Sequence, residues 1–89
     1  MQVEQKTIAD VTARLRRVEG QIGGIIRMIE SERDCRDVVQ QIVAASRALD
    51  QAGFKVLASG LRCCLRDEEA ARQAGYSEED LERLFLRLA

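Results

Sequence analysis

Three cysteines in a chain that has no histidine set the chemistry this sequence can perform. Cys35 and Cys64 lie 29 positions apart, and with no proline anywhere nothing obliges a helix to break between them. At about 100° per residue that spacing is roughly eight turns plus ~20°, so both thiols fall on one helix face. At 1.5 Å per residue it also holds them roughly 43 Å apart along the axis, out of reach within one helix. An antiparallel copy crossing near Leu49 and Asp50 places Cys35 beside the partner subunit's Cys64, and two-fold symmetry does so twice.

The local sequence bears on reactivity. Asp34 is a good N-cap, which puts Cys35 at the first helical position, where the helix dipole favours thiolate. Arg33 and Arg36 flank Cys35, and Arg62 and Arg66 flank Cys64. The competing reading is that free cysteines serve as small buried hydrophobes. Cys63, rotated about 100° from Cys64, falls off the shared face and reads as a bystander or a secondary thiol.

The elements that must position these thiols are helices. Ile8, Val11, Leu15, Val18, Ile22, Ile25 and Ile29 alternate steps of three and four, an a/d seam predicting helix one over about 7–30. Gly20, Gly23 and Gly24 inside it suggest close backbone approach or a slight bend. Helix two is predicted over about 35–74, with Gly75 as its stop and two small-residue rows at heptad spacing: Ser46, Gly53, Gly60 and Ala45, Ala52, Ser59. These rows permit a close helix crossing. Ser77 caps a third helix over about 78–88, with acids in its first turn, Tyr76 placed to staple onto Leu81, and an apolar face of Leu81, Leu84, Phe85 and Leu88. The expectation is an all-α chain, one domain over 1–89, built as a long antiparallel hairpin plus a short third helix.

Eighty-nine residues bury a limited core, and 46% hydrophobic with 3% aromatic content means that core is aliphatic, so assembly would help it. A formal charge of −1 excludes a bulk polycation but not a local basic patch. Arg14, Arg16 and Arg17 form the densest basic cluster, either a solvated face or, repeated in an oligomer, a surface for DNA phosphates. Against it, residues 67–82 carry seven acids and Arg72 alone. No apolar run approaches the roughly 18–20 residues of a membrane span, and the polar start lacks the layout of a signal peptide. A cytoplasmic, reducing setting is expected, in which thiols stay reactive or metal-binding. No general base, oxyanion donor or cofactor motif supports turnover, so neither an enzyme nor a cofactor is expected.

Arg14-Leu15-Arg16-Arg17-Val18-Glu19-Gly20-Gln21 followed by 24–30 resembles the opening of the copper-sensitive operon repressor (CsoR) family. Residues 34–42 and Ala48-Leu49-Asp50 resemble its second helix, and the likeness runs from about Ile8 to Leu65. The resemblance implies a three-helix protomer, an antiparallel four-helix-bundle homodimer, a dimer-of-dimers homotetramer and an operator-DNA-binding repressor released through its cysteine site. It points to Arg14 and Arg17 first, then Arg16 and Lys55, as DNA contacts.

Copper sensors of that family use Cys, His and Cys. Here the cysteines fall on Cys35 and Cys64, the histidine position on Gly60, and the tyrosine that commonly precedes the first cysteine is Asp34. Branches for nickel, cobalt and formaldehyde also rely on histidines or an amino-terminal ligand and fit worse. The remaining dithiol is similar to the persulfide-sensing, CstR-like branch. That implies sulfane-sulfur donors (persulfides, polysulfides) as partners and intersubunit di- to tetrasulfide links, with Cys35 attacking and Cys64 resolving. The alternatives are a Cu(I)-responsive repressor with Cys35 and Cys64 as a histidine-less dithiolate, a sulfur carrier, and a purely structural coiled coil.

Overall fold

A computed structural model describes residues 3–73, 75 and 77–89, and they form four helices with no strand. The predicted all-α class holds; the predicted count of three helices does not. α1 spans Gln5–Glu30, α2 Cys35–Arg66, α3 Glu68–Gln73 and α4 Glu78–Leu88.

α1 begins two residues before the expected start because Glu4 is anchored by α2: its amide donates to Ser59 Oγ at 3.1 Å and its carbonyl accepts from Ile8. The other end closes in a Schellman motif. Glu32 N–H bonds to Ile29 O and Arg33 N–H to Met28 O, with Glu32 itself in the left-handed region at φ 57°. Asp34 then caps α2, its Oδ1 accepting from Arg36 N at 2.8 Å, so Cys35 does occupy the first helical position.

Helix two does not run on towards residue 74. At Asp67 the backbone leaves helical geometry (φ −145°, ψ 84°), and Asp67 Oδ1 accepts from Ala70 N, capping a new six-residue helix. A capping carboxylate followed by two glutamates in the first turn starts α3 where continuation was expected. The expected far end of that helix at Ala74, and the staple from Tyr76, lie outside the described residues. Ser77 caps α4 through Asp80 N, as its sequence predicts.

α1 and α2 pack antiparallel. From the Glu4–Ser59 bond the heptads run in step, with Val11, Val18 and Ile25 buried on α1 and Ala45, Ala52 and Ser59 buried on α2. Small side chains on one helix let the branched ones of the other sit close. Ser59, fully buried, satisfies its hydroxyl with the Glu4 amide.

Only alternate positions of the α1 seam are used this way. Leu15, Ile22 and Ile29 remain exposed, as do Val39, Ile42 and Leu49 of α2, at about half their full area for Ile22 and Leu49 (48% and 50%). The glycines of α1 are not close-approach points within the chain: a Cβ at Gly20 meets nothing within 4 Å, and at Gly23 and Gly24 only the Arg27 guanidinium. The close approach is at Gly53, where a Cβ would stand 3.0 Å from Leu88 Cδ2 of α4.

The result is a thin plate, 54 × 24 × 14 Å between Cα atoms, with a radius of gyration of 16.7 Å against roughly 12 Å for a compact chain of this length. Its accessible surface, 6810 Å², exceeds the roughly 5,200 Å² of a typical folded 10 kDa chain. Among the described residues no helix is long and apolar enough to cross a membrane.

Candidate thiol site and basic face

Both principal thiols sit on α2, at opposite ends, in contrasting surroundings. Cys35 is exposed at the helix start. Its neighbour Arg33 is drawn to Asp37, Nη2 to Oδ2 at 3.5 Å, so part of the expected cationic field is met by a carboxylate. Cys64 is buried, 5% exposed, in a small apolar cluster with Ala71 of α3 and Leu81 of α4, and Leu57 packs against it. A recess of about 270 Å³ is bordered by Cys64, Glu68, Arg72, Ser77 and Glu78. Cys63 is half-buried, and its carbonyl accepts from Asp67 N.

The arginines expected to activate Cys64 are engaged elsewhere. Glu4 Oε1 accepts from Arg62 Nε at 3.3 Å and from Arg66 Nη2 at 2.7 Å. The Arg62 hydrogen bond, aided by the charge of Arg66 and outweighing the cost of desolvation, holds the Glu4 carboxyl below its ordinary range. The physical reason is the face: Arg62 and Arg66 reach the start of α1, whereas Cys64 turns towards α3 and α4.

Two of the predicted DNA-contact residues meet. Asp10 Oδ2 on α1 lies 3.3 Å from Arg14 Nε, one turn along, and 3.4 Å from Lys55 Nζ on α2. Desolvation raises the Asp10 carboxyl, but hydrogen bonds and charge from Arg14 and Lys55 outweigh it and leave it lowered. Arg16 and Arg17 are exposed and, among the described residues, take part in no ion pair. A recess of about 350 Å³ next to this cluster is bordered by Thr7, Asp10, Phe54, Lys55, Ala58 and Arg62.

Sequence reasoning missed Asp10 and Glu4, the two carboxylates that organise the basic side chains. Asp10 stands four residues before Arg14, a helical ion-pair spacing that was available to find it. Nothing local signals its tie to Lys55 or that of Glu4 to Arg62 and Arg66, which come from the pairing of α1 with α2.

Among the described residues no group of three or more His, Cys, Asp or Glu is placed to hold a metal ion. Cys35 and Cys64 stand at opposite ends of α2, so one chain alone does not bring these two thiols together.

The chain is thus an all-helical hairpin with one open and one shielded thiol on α2 and a carboxylate-bound pair of cations across α1 and α2. Residues 7–87 match the model of a protein family described as metal-sensitive transcriptional repressors. The chain belongs to this family, the CsoR family of transcriptional repressors.

It is 48% identical over 52 residues to the copper-sensing transcriptional repressor RicR of Mycobacterium tuberculosis H37Rv, covering 58% of this chain and 54% of that protein. It is 34% identical over 75 residues to the copper-sensing repressor CsoR of Bacillus subtilis 168, covering 84% and 71%. To CsoR of M. tuberculosis H37Rv it is 35% identical over 72 residues, 81% and 58%. The chain thus spans little more than half the length of two of these relatives. No solved structure matches.

Proposed function

We propose that the protein is a DNA-binding repressor, working as a symmetric homodimer or dimer-of-dimers homotetramer, that senses reactive sulfur species through Cys35 and the partner subunit's Cys64. The observation that carries this reading is the donor set: two cysteines on one long helix, one exposed and one shielded, in a chain with no histidine to complete a nitrogen-containing copper site. Exposed Leu15, Ile22, Ile29, Ile42 and Leu49 give an apolar face for a second copy. The excess surface of the protomer, roughly 1,600 Å², is about twice the roughly 800 Å² that each partner buries in a standard interface.

The chemistry follows from exposure. The Cys35 thiolate attacks the outer sulfur of a persulfide, forming the Cys35 persulfide and releasing the donor's thiol. The partner's Cys64 then attacks the inner sulfur, closing a disulfide and expelling hydrogen sulfide. Further sulfane transfers before closure lengthen the link to tri- or tetrasulfide, which spans a wider gap than the roughly 7 Å between Cα atoms that a disulfide tolerates.

A second reading is favoured by the relatives, which are named copper-sensing. Soft thiolates select Cu(I), and Cys35 with the partner's Cys64 would give a two-coordinate site. One experiment separates the two: DNA binding paired with intact-mass measurement after persulfide, peroxide or Cu(I). A cross-linked dimer carrying extra sulfur, with loss of DNA binding, supports sulfur sensing. Release by stoichiometric Cu(I) alone supports the copper reading. Absence of DNA binding by the untreated protein overturns both.

A further inference from the structure

Phe54 stands between the shielded thiol's cover and the basic face. One side of its ring meets Phe85 of α4, centroids 5.4 Å apart and planes at 59°. It borders an apolar groove of about 500 Å³ that Leu81 and Phe85 also line. It also borders the polar recess that Asp10 and Lys55 line. Among the described residues only Phe54 and Ala58 line both spaces, and alanine has no rotamer to change. On α4, Leu81, which covers Cys64, and Phe85, which covers Phe54, are one turn apart and move as one body.

We propose that Phe54 is a positioning residue that carries the state of the Cys64 site to the DNA-contact face. While α4 is seated, Phe85 holds the ring at the wall of the recess, and Lys55 rests on Asp10 beside Arg14. A group added to Cys64 grows into the recess that Ser77 and Glu78 border at the start of α4, so α4 is pushed outwards from Ala71 and Cys64, and Phe85 leaves with it. The uncovered ring then finds apolar cover in the recess, against Ala58 and the aliphatic stems of Lys55 and Arg62, and displaces Lys55 from Asp10. The connection to α2 allows this movement: it turns at Asp67, runs through six helical residues and passes Gly75 at φ 86°. The inference rests on the repressor reading but holds whichever effector acts at Cys64.

The test uses the full chain, a duplex selected from a random DNA pool by the reduced protein, and methyl methanethiosulfonate as probe. Each thiol attacks the reagent's divalent sulfur, gains a methylthio group through a new S–S bond and releases methanesulfinic acid. The adduct is expected to weaken DNA binding about tenfold or more, within the range of ordinary coupling between sites, and Cys64→Ala is expected to abolish that loss. Phe85→Ala should bind weakly before treatment, with the treated-to-untreated ratio collapsing towards one. Phe54→Ala, or Phe54→Leu should the alanine variant fail to fold by circular dichroism, should lose the response as well.

The decisive variant is Phe54→Ala/Phe85→Ala, which should regain the affinity that Phe85→Ala lost, because no ring remains to invade the recess. A double variant as weak as Phe85→Ala overturns the proposal, as does a normal response in Phe54→Leu, and both leave the repressor reading standing. A wild-type chain that selects no DNA removes the repressor reading and this inference together.

Discussion

Lys55 of α2 reaches across the helical hairpin to Asp10 of α1, bringing its ammonium to the same carboxylate oxygen that Arg14 holds. Two cations 41 positions apart in the chain thereby act as one patch, with a carboxylate that limits their net charge. Arg14→Ala and Lys55→Ala should each weaken DNA binding nearly uniformly across sequences and reduce the salt slope by about one. Asp10→Asn should strengthen non-specific binding at low salt. Fluorescence anisotropy over a salt series checks all three, and an unchanged slope in Arg14→Ala would remove it from the interface.

Thiol labelling should follow burial. Cys35 is exposed and Cys64 lies beneath Ala71 and Leu81, so iodoacetamide should modify Cys35 at least about tenfold faster in the native protein. The difference should vanish in denaturant. Peptide mass mapping of a time course measures it, and equal native rates would show that α3 and α4 do not cover the thiol in solution.

Glu32 occupies the left-handed position of the Schellman turn, where a Cβ is unfavourable by about 1–2 kcal/mol. Glycine there costs some backbone entropy in return. Glu32→Gly should therefore stabilise the protein by about 0.5–1 kcal/mol, read as a rise in the urea midpoint without a change in slope.

The Glu4 clamp predicts an acid response. Its carboxyl is lowered in the folded protein, first by the Arg62 hydrogen bond and then by Arg66, so folding favours its ionised form. The sign follows: the contribution is present above the ordinary carboxyl value of 4.5 and is lost as pH falls through the lower folded value. Glu4→Gln should remove this part of the acid dependence while leaving behaviour near neutral pH governed by the apolar seam. Melting of both proteins between pH 3 and 7 makes the comparison; parallel curves would mean the clamp is not formed in solution. Glu4 is solvent-accessible, so the effect is expected to shrink in high salt.

Much of the fold was legible because it is local. The apolar alternation of α1 and the caps Asp34 and Ser77 depend on neighbours within four residues, and the structure has them where they were expected. The break at Asp67 was legible in principle, since an acid followed by two glutamates is a helix-start pattern, but the apolar run through Leu65 masked it. The site was half legible. Helix geometry put Cys35 and Cys64 on one strip of α2, yet it could not tell that α4 covers only the Cys64 end of that strip. Nor did it foresee that the arginines beside Cys64 bond to Glu4. Both depend on which long-range partner arrives, and periodicity within one helix holds no record of that.

The plate-like protomer has a consequence for its energetics. A body one helix thick has a seam but scarcely an interior, so much of its aliphatic content gains nothing from folding alone. In the assembly proposed above, the stacking of copies would supply the missing depth, and dilution would then act on such a chain much as a denaturant does. A covalent bridge between copies would turn a folding reaction of second order into one of first order, so that a chemical signal and the cohesion of the molecule draw on the same bond.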